Sequence, residues 1–201
     1  KTPILIALFA FIVGIITAQY LLSAKPIPSP ASVQTGTRVP VVAGKFGGDF
    51  TLTQQGKPVK LSDFQDKVVY FGYSSCPDIC PTSLAIMSAG LKTLTAEELA
   101  QVQPIFISVD PERDGGETLM NYAQHFHPNL IGITGTAAEV QQAAQQYGAF
   151  YAKVPSNSAM GYLVDHTSNT YLISKGGKFV TILPHDMTPA MVATSIRQEL
   201  P

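Results

Sequence analysis

The chain has 201 residues and a formal net charge of −1. No basic stripe runs through it, which excludes a nucleic-acid-binding surface built on phosphate contacts. Tryptophan is absent and only 13% of residues are charged, and the length suits one membrane anchor plus one domain large enough to bury a core.

Residues 4–22 read ILIALFAFIVGIITAQYLL, with no charged side chain. At about 1.5 Å per residue such a helix spans about 28 Å, close to the hydrocarbon thickness of a bilayer. The run is longer than a signal-peptide h-region and its cleavage pattern is poor. Residues 1–22 are therefore expected to be a transmembrane anchor, with Tyr20 at the interface. A short N-terminal tail on the cytoplasmic side sends the rest of the chain outside. Residues 23–44 hold Pro26, Pro28, Pro30 and Pro40, which forbid helix and predict an extended linker. Residues 45–201 then form one domain.

Within that domain, 50–53 and 58–61 read as a β-hairpin turning at Gly56. Residues 67–73 (KVVYFGY) and 104–109 (PIFISV) are continuous apolar runs, the signature of strands buried on both faces. Leu84, Met87, Leu91 and Leu94 carry helical spacing over 81–94. A helix over 116–126 and a short strand over 130–133 follow. The spacing next predicts a helix over 136–147, with Thr136 as cap and Gly148 as stop. Strands at 171–174 and 178–183 flank Gly176 and Gly177 as a second hairpin. Thr188 caps a last helix with Pro189 in its first turn. Parallel βαβ units closed by a hairpin and a helix predict an α/β, thioredoxin-like fold with an N-terminal β-hairpin.

In such a sheet, sites form at the carboxyl ends of the parallel strands. Cys76 and Cys80, the only cysteines, leave the end of the 67–73 strand, and DPERD (110–114) leaves the end of the 104–109 strand. The 171–174 strand runs the other way, so its amino end, preceded by Asp165 and His166, reaches the same rim.

A Cys-x-x-x-Cys pair closes too short a loop to be an efficient structural staple. At i and i+4 the two thiols share a helix face, close enough to chelate one metal or to form a reversible disulfide. A helix start also favours thiolate. Of the four histidines, His125 and His127 lie at a helix end and His185 in the loop before the last helix. Surface or capping roles are expected for these three. Only His166 comes to the cysteine rim. Two thiolates and an imidazole form a soft donor set suited to Cu(I), Cu(II) or zinc. A closed zinc site needs a fourth ligand and none is evident, so an open site for copper handling is expected. DPERD reads as a turn in which Arg113 pairs with Asp110 or Asp114, or else as a rim element that docks a partner or tunes the site. Asp165 is a candidate to orient the neighbouring imidazole.

FGYSSCPDICPTSL, FISVDPERD, IGITG and YLVDHTSNTYLI, in that order, resemble the Sco (SenC-like) proteins. These are membrane-anchored copper chaperones for the binuclear copper centre of cytochrome c oxidase subunit II. The resemblance runs from about Phe46 to the C-terminus. It implies a thioredoxin-like fold and copper ligands at Cys76, Cys80 and His166. It also implies subunit II as partner, beside another copper donor or a thiol reductant. The expected location is a bacterial plasma membrane with the domain on the periplasmic side, the mitochondrial inner membrane being the alternative. A thiol–disulfide reductase using Cys76 and Cys80, and a peroxide reductase using one reactive cysteine, compete with the metallochaperone. Thioredoxin-like oxidoreductases place a cis-proline before the hairpin strand, near Ser168 here. No proline lies between Pro155 and Pro184, and His166 stands in that segment instead, which favours metal binding.

Overall fold

The computed structural model describes residues 46–64, 66–174 and 177–200. The expected anchor and linker lie outside the described residues, and among those described no helix is long and apolar enough to cross a membrane.

Strands β1 (Thr51–Gln54) and β2 (Lys57–Lys60) form the N-terminal hairpin. Gln55 and Gly56 both take positive φ, 47° and 81°, the two-residue turn whose twist matches antiparallel strands. Strand β3 (Asp66–Gly72) leads through α1 (Ile79–Leu91) and the short α2 (Ala96–Leu99) to β4 (Val102–Ser108). A capping box between Thr95 and Glu98 starts α2, a helix the sequence pattern did not announce. Helix α3 (Gly116–Phe126), β5 (Ile131–Ile133) and α4 (Ala137–Gln146) follow. Thr136 and Glu139 box the start of α4, and Gly148, at φ 63°, ends it.

Strands β6 (Tyr151–Pro155) and β7 (Tyr162–His166) pair as an antiparallel hairpin that the sequence reading missed. Lys153 and Pro155 argue against a strand, and β6 stays largely exposed, so no core-facing alternation announces it. Strands β8 (Thr170–Ile173) and β9 (Phe179–Leu183) and helix α5 (Pro189–Glu199) complete the chain, with Thr188 capping α5 as expected.

The main sheet has the order β5-β4-β3-β8-β9, while β6–β7 is a separate two-stranded sheet. Strands β3, β4 and β5 are parallel, and β8 joins β3 antiparallel from Lys67↔Ile173 to Tyr70↔Thr170. Alternation sorts the β3 side chains. Phe71 meets the rings of Tyr147 and Tyr171 on the α4 side. Tyr70 and Gly72 face α1, with Phe106 stacked beside Tyr70. Helix α1 in turn packs on α5. A Cβ on Gly90 would lie 2.7 Å from Val192 Cβ, so the missing side chain is what lets the two helices touch.

Candidate metal centre

The loop from β3 into α1 carries both cysteines, and it corrects one expectation. Cys76 is not on the helix. Asp78, at φ −144° and ψ −68°, is the last non-helical residue, and α1 begins at Ile79. Cys80 occupies the second helical position and is fully buried, while Cys76 sits in the preceding turn and is half-buried. The Asp78 side chain makes no capping bond. The Cys76 sulfur takes over that work, accepting the backbone N–H of Cys80 at 3.4 Å. The i, i+4 spacing thus brings the sulfurs together through a turn, not through a shared helix face.

His166 also stands differently from expectation. It is the last residue of β7, paired with Tyr151, and not part of a loop before β8. Its Nε2 lies 3.1 Å from Cys80 Sγ, and its Nδ1 lies 3.1 Å from the carbonyl of Thr167. A carbonyl can only accept, so in the neutral ring Nδ1 carries the proton and the Nε2 lone pair faces the sulfurs. Asp165 does not orient the ring: it is exposed on the opposite side of the strand, and the Thr167 carbonyl does that work. Tyr70 and Tyr73 hold the imidazole from two sides, with ring centroids at 6.1 and 5.8 Å and interplanar angles of 89° and 88°.

The Cys76 and Cys80 sulfurs and an imidazole nitrogen all lie within 4.8 Å of one another, and no fourth His, Cys, Asp or Glu joins them among the described residues. A hydrogen bond from the Cys80 side chain holds the Cys76 thiol far below its ordinary value of 9.0, against the opposing effect of burial, and contact with the His166 side chain and the N–H groups of Asp78 and Cys80 add to it. Burial, then the neighbouring Cys76, pushes Cys80 the other way. The two thiols are thus pushed apart, Cys76 toward the thiolate and Cys80 toward the protonated form. Burial, followed by the charge on the sulfurs, keeps the Tyr70 phenol protonated. Gly72 makes room: a Cβ there would stand 2.7 Å from Cys80 Sγ and 2.9 Å from the Tyr70 ring.

The other histidines stay apart. His125 is exposed on α3. His127 is buried, not at the surface; it is the C-cap of α3, and its Nδ1 accepts from Asn129 N–H at 3.1 Å. His185 lies 3.2 Å from Ser83 Oγ on α1. The DPERD turn is built from its own charges. Arg113 pairs with the fully buried Asp110. Asp114 accepts from Ser74 N–H at 2.8 Å, from the Ser74 hydroxyl, and from Ser108 Oγ at 2.5 Å. The sequence reading missed Tyr70, Gly72, Tyr73 and the Thr167 carbonyl. Strand alternation is the signal that puts Tyr70 and Gly72 on the face that α1 covers; nothing local marks the other two.

The SCO1/SenC family model matches residues 40–201. The SCO2-like protein of Rickettsia conorii is 34% identical over 199 residues, which is 97% of this chain and 96% of the relative. Copper-bound ScoI of Bradyrhizobium japonicum superposes with a TM-score of 0.70 at 38% identity, covering 77% of this chain and 99% of that one. BsSco, described as a Sco-family cytochrome c oxidase assembly protein with a disulfide switch, has a TM-score of 0.61 at 25% identity, covering 78% of this chain and 94% of its own. The mixed α/β, thioredoxin-like architecture described above is the fold of these Sco structures. A family match spanning all the described residues, joined to that shared fold, makes this chain a member of the SCO1/SenC family.

Proposed function

We propose that the protein is a membrane-anchored copper metallochaperone that binds one copper ion and delivers it to the binuclear copper centre of cytochrome c oxidase subunit II. The ligands in this reading are the Cys76 and Cys80 sulfurs and His166 Nε2. The observation that carries it is the closeness of these three atoms at one rim, one sulfur buried and the other half-exposed. Two thiolates and a neutral imidazole nitrogen are a soft set that suits copper in either oxidation state. A three-ligand site with one accessible sulfur leaves a side open for transfer to a partner's own ligands. Residues 1–22 would hold the domain at a bacterial plasma membrane on the periplasmic side. Copper-bound relatives and family membership support this reading.

The test is copper titration of the reduced protein, wild type beside Cys76→Ser/Cys80→Ser. Wild type is expected to take up one copper and to show sulfur-to-copper charge-transfer absorption with Cu(II). The same stoichiometry and spectrum in the double variant would refute the assignment.

One observation favours a second reading. A half-exposed Cys76 sulfur beside a buried Cys80, with the Cys76 thiol lowered and the Cys80 thiol raised, is also the arrangement of an attacking and a resolving cysteine. The protein would then reduce the cysteines of the copper centre before metal enters. His166→Ala separates the two roles, because it weakens a metal site directly and leaves both thiols in place.

A further inference from the structure

The imidazole and the sulfurs come to the rim on different supports. Cys76 and Cys80 ride on the main sheet and α1, whereas His166 ends a hairpin that shares no ladder with that sheet. Something other than sheet hydrogen bonding must fix the hairpin's position. One anchor is Val164, which is buried in the core. Another is Tyr73, whose hydroxyl accepts from the Val164 backbone, and a third is the loop after β4. Arg113 Nη1 donates to the carbonyl of Tyr162 at 3.0 Å and approaches that of Met160 at 3.4 Å. The guanidinium lies 3.8 Å over the Tyr162 ring. The Tyr162 hydroxyl donates to Asp110 at 2.8 Å, and Asp110 is itself the partner of Arg113. Lys153 on β6 adds an exposed ion pair with Glu112 at 2.5 Å. The same loop grips the cysteine segment through the two hydrogen bonds from Ser74 to Asp114, which Ser108 at the end of β4 also braces. Arg113 also reaches Tyr73, 5.5 Å from its ring, and Tyr73 flanks His166.

We propose that Arg113 is the positioning residue of this centre: by clamping the β6–β7 hairpin to the loop that also holds the cysteine segment, it sets where the His166 imidazole stands relative to the two sulfurs. Tyr162 and His166 are the two ends of one five-residue strand. A hairpin released at Tyr162 is free to twist along β7, and His166, at the other end of that strand, turns its imidazole out of line with the sulfurs. Arg113 is suited to the task because a planar guanidinium bonds carbonyls in its plane while stacking a face on a ring, a fixed fork that a lysine ammonium does not offer. The proposal rests on the copper reading for its metal-dependent readout but not for its structural one.

The experiment compares wild type, Arg113→Ala, Arg113→Lys, His166→Ala and the Arg113→Ala/His166→Ala double variant. Copper affinity is measured by chelator competition, the Cu(II) centre by absorption and electron paramagnetic resonance, and the metal-free hairpin by amide hydrogen exchange over 151–166. Removing a group that orients a metal-binding side chain typically costs about 10- to 100-fold in affinity, and that loss is expected for Arg113→Ala. Its spectrum should move toward that of His166→Ala, Arg113→Lys should not restore it, and hairpin amides should exchange faster without metal. The double variant should bind no more weakly than His166→Ala. Wild-type affinity and spectrum in Arg113→Ala, or a further loss of equal size in the double variant, would overturn the proposal. Tyr162→Phe removes only the hydroxyl's bond to Asp110 and its longer contact with Glu112; if Arg113→Ala does not fold, this variant must show the same spectral displacement, smaller in size, and its absence counts against the clamp. Wild type that takes up no copper would refute the chaperone reading alone, because the metal-free exchange comparison still decides the clamp.

Discussion

Replacing Gly72 by alanine tests the packing that surrounds the buried sulfur. The added Cβ would stand 2.7 Å from Cys80 Sγ, 2.9 Å from Tyr70 Cε1 and 3.1 Å from Phe106 Cε2, all inside the 3.4 Å at which ordinary contact begins. None of the three neighbours is a loose surface side chain: Cys80, Tyr70 and Phe106 are each 0% exposed. The glycine needs no left-handed backbone, so the whole effect is steric. Overpacking a close-packed core costs about 1–3 kcal/mol. For a chain of this size that lowers Tm by roughly 2–12 °C. The sulfur is the nearest obstacle, so part of the strain should relax by moving Cys80 and weakening copper binding. Gly115→Ala is the control, because nothing lies within 4 Å of a Cβ there and its φ of 174° is open to any residue. Thermal unfolding of wild type and both variants, followed by chelator competition, measures the two effects. If Gly72→Ala melts with Gly115→Ala and binds copper as wild type does, the close fit around Cys80 has no energetic meaning.

Among single alanine variants of the four histidines, His166→Ala should show the largest loss of copper affinity, since His166 alone joins the sulfurs; an equal loss in all four, or the largest at His185, would contradict the site. Copper and a Cys76–Cys80 disulfide should exclude each other, because a disulfide sulfur no longer offers a thiolate. Thiol counting under a mild oxidant should show the metal-free protein oxidising faster than the loaded one, and the oxidised form failing to take up copper. The sulfurs must close to about 2.05 Å for that bond, and the non-helical turn at Cys76 is the part free to move. In metal-free protein, alkylation of Cys76 should hold a nearly constant rate from mildly acidic to neutral pH, since its depressed pKa keeps it a thiolate throughout. Cys80, whose pKa burial raises, should stay unreacted over the same range. A Cys76 rate that climbs with pH like an ordinary thiol's would show that the Cys76 thiol is not lowered.

Much of this protein is written in short stretches of chain. KVVYFGY and PIFISV announce buried parallel strands because burial on both faces demands unbroken apolar runs. Thr136 with Glu139, and Thr188 with Pro189, mark helix starts because capping involves only residues three apart. Two cysteines after an apolar strand, and a histidine ahead of an antiparallel one, were enough to bring three donor residues to one rim. Tertiary structure decided the rest. Cys80 and His166 are 86 positions apart, so neither local spacing nor propensity sets the 3.1 Å between them. The turn at Cys76 depends on a hydrogen bond to its own sulfur, which overrides the helical reading of the i, i+4 spacing. The β6–β7 hairpin buries little and carries Pro155 and Lys153, so it has almost no signal of its own. It forms where Arg113, Asp110 and the core around Val164 receive it, and such reception exists only once the distant β4 loop is in place.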